Sequence, residues 1–351
     1  MSVTRTAALS VVLAATTFAG VSPASAAPDP DRGLFGIQDP TYDGVYRQGL
    51  AITGLVAADR RVPRSAVSWL LRQQCADGSF VSYRPDTTLP CPAPDPTNYT
   101  GPDSNSTAIG AMALRATGDK AHARSALRYL RKMQNDDGGF PYYRGGSSDT
   151  NSTGLALAAL NGSRATKSVL AQVKDATRYL GSVQFRCQGA ASDRGMMSYQ
   201  QAPLTANTLA TAQAALGMVT TLPSTPRPTR VSGVRCVGSL STRPVSPAGA
   251  ALAALRRQLA DGLLPSAFGS DGDASATAQA IISLKAAGVR GRDLRPAVRA
   301  LRRVAATYTV AGGSTDAGAV GTLILAATAT GSDPRDFGGV DLIAARRASR
   351  R

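Results

Sequence analysis

The chain has 351 residues, 43% hydrophobic, 18% charged and 5% aromatic, a mixture that buries a large core rather than staying disordered. Every acidic residue is an aspartate, so chemistry that needs glutamate is excluded, and a single histidine, His122, rules out a multi-histidine metal site. The net charge of +16 reads first as a solvated outer face, with contact with anionic cell-wall polymers or lipid head groups as the alternative; nucleic acid is disfavoured because the arginines sit at helical spacing without interleaved aromatics.

The first element in the chain is an apolar run over residues 7–20, preceded by Arg5 and followed by Ala24-Ser25-Ala26. The run is shorter than the ~20 residues a bilayer span needs, so the pattern predicts a secretory signal peptide over 1–26, cleaved after Ala26, and an extracellular protein. An extended segment over 27–41, one helical domain over 42–345 and a basic tail over 346–351 complete the expected organisation. In an exported chain four cysteines form an even set. Sequential pairing, Cys75 with Cys91 and Cys187 with Cys236, closes a proline-rich insertion (86–102) and a second one (189–247).

Within the domain two kinds of helix alternate. One kind starts with a capping residue and runs on apolar on nearly every side, as a buried helix does. Its clearest copies begin D-S-N-S-T-A at Asp103 and D-T-N-S-T-G at Asp149, each with a leucine nine residues after the asparagine: Asn105 to Leu114 and Asn151 to Leu160. The same offset aligns Asn207 with Leu216, Ser275 (after Asp273) with Leu284, and Asp316 with Leu325, and a sixth copy lies over 46–55. Between them run basic amphipathic helices over 63–74, 123–134, 168–184, 247–258 and 294–308. Six such pairs close most simply as an α/α toroid, an inner ring of helices inside an outer ring, with an open solenoid as the alternative.

The amphipathic helices end alike, Gln74 to Phe80 and Gln134 to Phe140 both reading Q-x-x-D-G-x-F, with weaker copies at Gln184 and Gln258. The glycine stops the helix in a left-handed turn, the aspartate suits that turn, and the aromatic anchors the connection. These ends resemble the Q-x-x-x-G-x-W repeat of squalene–hopene cyclases and the related repeat of protein prenyltransferase β subunits. The helix start at Asp149 is also similar to those of cobalamin-carrier toroids. The resemblance spans residues 42–330 and implies the all-α toroid fold; enzymes, vitamin carriers and thioester proteins all use it.

Departures from the family decide the expected function. Class II terpene cyclases start one inner helix with D-x-D-D-T-A, whose middle aspartate is the proton donor. In that register Asn105 and Asn151 stand at the acid's position, and an amide is no Brønsted acid of useful strength. The zinc set of the prenyltransferases is missing too, since His122 falls on a basic outer helix and the cysteines pair with each other. The sequence therefore implies a monomeric, non-catalytic binding protein with no metal and no required cofactor. Asp103, Asn105, Asp149, Asn151, Asn207, Asp273 and Asp316 would ring one mouth of a central cavity walled by Ala, Leu and Gly. A largely apolar ligand with polar edges, an isoprenoid or a corrinoid, suits such a cavity. The alternatives are an enzyme, either terpenoid cyclase-like or an Asp-dependent polysaccharide lyase or hydrolase using Asp103 and Asp149, and a structural cell-surface protein.

Overall fold

The computed structural model describes residues 31–95, 97–223, 227–242, 245–266 and 272–348. The expected signal peptide and residues 349–351 lie outside the described residues. Among the described residues six inner helices, α1 (Gly44–Ala57), α3 (Ser104–Ala116), α5 (Thr150–Asn161), α7 (Thr208–Val219), α9 (Ala274–Ala286) and α11 (Ala317–Thr330), alternate with six outer ones. The outer helices are α2 (Arg64–Gln73), α4 (Lys120–Arg131), α6 (Lys167–Ser182), α8 (Pro247–Gln258), α10 (Arg295–Tyr308) and α12 (Leu342–Ala348). Each inner helix packs on the next, and α11 packs back on α1, so the ring is closed and the open solenoid is excluded. The last outer helix enters the segment expected as a basic tail.

Small residues serve a different purpose from lining a wall. At α1–α11 a Cβ on Gly54 would come within 2.7 Å of the Gly321 carbonyl, and at α5–α7 one on Gly217 would overlap the Gly154 carbonyl. These two contacts lie on opposite sides of the ring, where glycine lets backbones touch. The outer helices bury one stripe each, Ala297, Ala300, Leu301 and Ala305 in α10 for example, and turn their arginines to water.

The glutamine turns tie successive outer helices together. Gln74 donates to the Gly78 carbonyl at 3.0 Å and to the His122 carbonyl in α4 at 3.1 Å. Gln134 repeats this with Gly138 (2.8 Å) and Gln172 of α6 (2.9 Å), and Gln184 with Gly195 (3.0 Å) and Pro247 of α8 (2.9 Å). Gly78, Gly138 and Gly195 all have φ between 90° and 94°, and a side chain there would also strike the neighbouring outer helix. The chain then crosses inward, and the last residue of each turn pairs in antiparallel fashion with the residue that caps the next inner helix: Phe80 with Asp103, Phe140 with Asp149, Met197 with Asn207 and Leu264 with Asp273.

Residues 31–35 form a turn of the same kind at the seam. Gly33 has φ 101° and lies against Ser65 of α2, while the Phe35 amide donates to Gln48 Oε1 of α1 at 2.8 Å. Phe35 is buried. A D-x-G-x-F pattern, Asp31 to Phe35, was the available signal for this element.

Both disulfides join the expected partners, Cys75 with Cys91 and Cys187 with Cys236. The expected insertion over 189–247 is not one unit, because inner helix α7 runs through it; Cys187–Cys236 spans an entire inner helix. The part after α7 reaches the C-terminal ends of α3 and α5. Arg227 donates to the Asn161 carbonyl of α5 at 3.0 Å, and Arg115 of α3 donates to the Leu222 carbonyl at 3.3 Å. A central cavity opens at the opposite end, where the inner helices begin, and that end is called the mouth.

Candidate functional site

The mouth is built from repeated helix starts. The side chains of Asp103, Asp149, Asn207, Asp273 and Asp316 each accept the amide proton three residues on, at 2.7–2.9 Å, the bond that defines an N-cap. A threonine four residues beyond the cap donates to the cap's carbonyl and accepts the amide of the preceding turn. Thr107 thus receives Phe80, Thr153 Phe140, Thr211 Met197 and Thr277 Leu264, at 2.9–3.0 Å. This cap-and-threonine frame moves two helices relative to the leucine-based alignment. Asn207 and Asp316 correspond to Asp103 and Asp149, not to Asn105 and Asn151. The shift went unseen in sequence because helices apolar on all faces match a two-residue slip almost as well.

A cavity of about 320 Å³ opens inside these starts. The second residue after each cap lines it in four helices, Asn105, Asn151, Leu209 and Ser275, and the residue one turn deeper lines it in three, Leu155, Gln213 and Gln279. The α1 side supplies Tyr42, Asp43, Tyr46 and Leu50. The wall is thus mixed, with leucine and tyrosine faces between amides and hydroxyls, since alanine and glycine went to the helix contacts instead. Asn151, Gln213 and Gln279 each carry a buried side-chain oxygen with no hydrogen-bond partner.

Asp43 is the exception among the caps. Its side chain makes no capping bond but lies 3.5 Å from the Arg47 guanidinium, which also donates to Gln38. Burial raises its carboxyl above the usual range, against the lowering by Arg47. Sequence reasoning missed Asp43 because α1 lacks the D-x-N-S-T signature. Gln213 and Gln279 were missed as lone amides in alanine-rich helices.

The expected site residues therefore divide. Asn105, Asn151 and Asp273 face the central cavity. Asp149 lines an adjoining cleft of about 460 Å³ with Tyr42, Tyr99, Tyr142, Tyr143 and Tyr199. Asp103 is wholly buried, its Oδ2 unpartnered, while Asn207 and Asp316 are half-buried caps. Burial pushes the Asp103 and Asp149 carboxyls up to about 6, overriding the Ser106 and Ser152 amides that favour the charged form. His122 is on α4, its ring bonded to Asp119 at 2.8 Å, and all four cysteines are consumed in disulfides.

No family model and no curated protein matches the chain. Among solved structures the chain is similar to ent-copalyl diphosphate synthase from Streptomyces platensis, at 16% identity and TM-score 0.50 over 82% of this chain and 50% of that one. It therefore spans half the length of that synthase. A novel alpha-amylase from Clostridium perfringens aligns at 11% identity and TM-score 0.52, over 82% of this chain and 86% of that one. A type II terpene cyclase from Scytonema aligns at 11% identity and TM-score 0.49, over 85% of this chain and 90% of that one. At such identities the likeness speaks to fold alone. The closed double ring agrees with the likeness to the copalyl diphosphate synthase: the chain has the α/α-toroid fold of terpenoid cyclase- and prenyltransferase-like proteins.

Proposed function

We propose that the protein is a secreted, non-catalytic binding protein that seats a small amphipathic ligand in the mouth of the toroid. The observation that carries this is an amide-bearing wall: Asn151, Gln213 and Gln279 line the cavity side by side, and their side-chain oxygens are buried without a hydrogen-bond partner. An unpaired buried polar group costs ~1–3 kcal/mol, and amides that turn toward a ligand bearing hydroxyl or amine protons would recover it. Leu50, Leu155 and Leu209 supply apolar faces between these amides. At about 30 Å³ per water, 320 Å³ holds a ligand of one or two rings or a short isoprenoid alcohol; a corrinoid would protrude. Lack of catalysis is supported by the register: the position of the cyclase acid carries Asn105, Asn151, Leu209 and Ser275. Secretion is supported by the two disulfides.

Native mass spectrometry of the oxidised protein, recovered from the medium of its own host, tests the reading. A bound mass that disappears in the Asn151→Leu, Gln213→Leu double variant is expected. A bare polypeptide in every preparation would overturn it. The second reading is an acid-dependent hydrolase, favoured by one observation, the uncapped Asp43 carboxyl on the cavity wall with its raised pKa. Product formation from an oligosaccharide, abolished in Asp43→Asn, would establish it in place of the first.

A further inference from the structure

We propose that the cleft beside the cavity binds a neutral oligosaccharide. Five of the chain's ten tyrosines, Tyr42, Tyr99, Tyr142, Tyr143 and Tyr199, converge there from four separate stretches of sequence. Three of them hold their rings out to solvent, Tyr42 at 84% exposure, Tyr99 at 74% and Tyr199 at 43%. Tyr142 and Tyr143 meet edge to face at 4.6 Å, and Tyr99 leans on Tyr143 at 6.5 Å. Tyr99 is also one of two non-glycine residues with positive φ among the described residues, at 53°, a conformation that L-residues seldom adopt without surrounding support.

What is missing from the lining selects the ligand. The chain carries 39 lysines and arginines, yet among the described residues none lines this cleft, and neither does any aliphatic side chain. An anion would find no cation there, and a hydrocarbon tail would find no aliphatic wall. The remaining polar groups, Ser82, Ser147, Asp149 and Gln200, sit among the tyrosine rings and hydroxyls. Flat apolar faces interleaved with hydrogen-bonding groups match a sugar, whose rings offer C–H faces and edge hydroxyls. Aromatic grooves also take proline-rich peptides, but four convergent non-aromatic polar side chains fit vicinal hydroxyls better than a peptide without backbone amide protons. The inference goes beyond the cavity reading and does not need it, although Tyr42 and Tyr142 border both spaces.

The test is calorimetric titration of the full, oxidised chain with maltohexaose, cellohexaose and N-acetylchitohexaose. Hexagalacturonate and a proline-rich dodecapeptide serve as contrasts. At least one neutral hexaose should bind. Tyr99→Ala and Tyr199→Ala should each raise its Kd roughly fivefold to tenfold, and Tyr99→Phe and Tyr199→Phe should raise it less. Both positions are exposed, so an unchanged thermal midpoint shows that the variants fold. The proposal is overturned if no neutral hexaose binds at millimolar concentration, if the double alanine variant binds as tightly as the parent, or if hexagalacturonate or the peptide binds through these tyrosines in preference to the sugars. Failure of the cavity reading shows elsewhere, in the Asn151→Leu, Gln213→Leu variant, which leaves the cleft intact.

Discussion

Gly154 and Gly217 meet where α5 lies on α7, so closely that a Cβ on Gly217 would overlap the Gly154 carbonyl, while one on Gly154 would stand 2.6 Å from the Gln213 carbonyl. Gln213 is a cavity residue, so the same close contact that seats α5 on α7 also positions one of the unpartnered amides. Gly217→Ala gains helix propensity of about 1 kcal/mol but forces the two backbones apart, and overpacking of this kind costs ~1–3 kcal/mol or more. The expected outcome is a clear fall in the urea midpoint. Gly291→Ala, whose Cβ would meet nothing closer than 4.0 Å, should leave the midpoint within experimental scatter.

The hydroxyl of Thr153 accepts the Phe140 amide at 2.9 Å and donates to the Asp149 carbonyl at 2.7 Å. Thr153→Val keeps the shape but strands a buried backbone N–H, at a cost of ~1–3 kcal/mol, whereas Thr153→Ser keeps both bonds. Chemical denaturation of the two variants should separate them by about that amount. If Thr153→Val were neutral, the threonine would be filler rather than the pin between turn and helix.

Alternation of apolar and amphipathic helices, the glutamine turns and the cysteine pairing were all legible in the chain, because each is a local pattern with a local cause. Gln74 and Gln134 announce their turns within seven residues. Register was less legible: the leucine offset misplaced Asn207 and Asp316 by two positions, and only the cap and threonine bonds fix it. The seam turn at Gly33 and Phe35 falls in a segment that the sequence alone presents as extended chain, for its partner Gln48 lies in the next element. The tyrosine cleft had no signature at all, since Tyr42, Tyr99, Tyr142 and Tyr199 become neighbours only when the ring closes.

Cys75–Cys91 closes a loop 16 residues apart in sequence, and Tyr99 follows on that same excursion from the toroid. Arg84 reinforces the loop by donating to the carbonyls of Arg72 (3.1 Å), Gln74 (3.3 Å), Thr87 (3.1 Å) and Leu89 (2.5 Å). Replacing both cysteines with serine should cost ~3 kcal/mol through the freed loop. It should weaken ligand binding in the tyrosine cleft more than in the cavity. Titration of a cleft ligand and a cavity ligand against the Cys75→Ser, Cys91→Ser variant measures the difference; equal losses would place Tyr99 outside the cleft's working surface.

The two buried caps give the fold a pH dependence of definite sign. Asp103 and Asp149 have carboxyls raised by burial to about 6 from an ordinary 3.8. Below about pH 3.8 both folded and unfolded chains hold the protons, and the folded state suffers no penalty. As pH rises toward 6 the unfolded chain releases them first, so the folded state binds more protons and loses stability, by up to about 3 kcal/mol per group once both are ionised. An amide at either position still offers an oxygen to the cap but carries no charge to desolvate. Asp103→Asn with Asp149→Asn should therefore flatten the decline: relative to the parent, the double variant gains stability steadily between pH 4 and pH 6.5, with little difference at the acid end. Thermal midpoints of both proteins across that range read the effect directly. Parallel curves would mean that the carboxylates stay charged inside the fold and that the caps, not their burial, dominate.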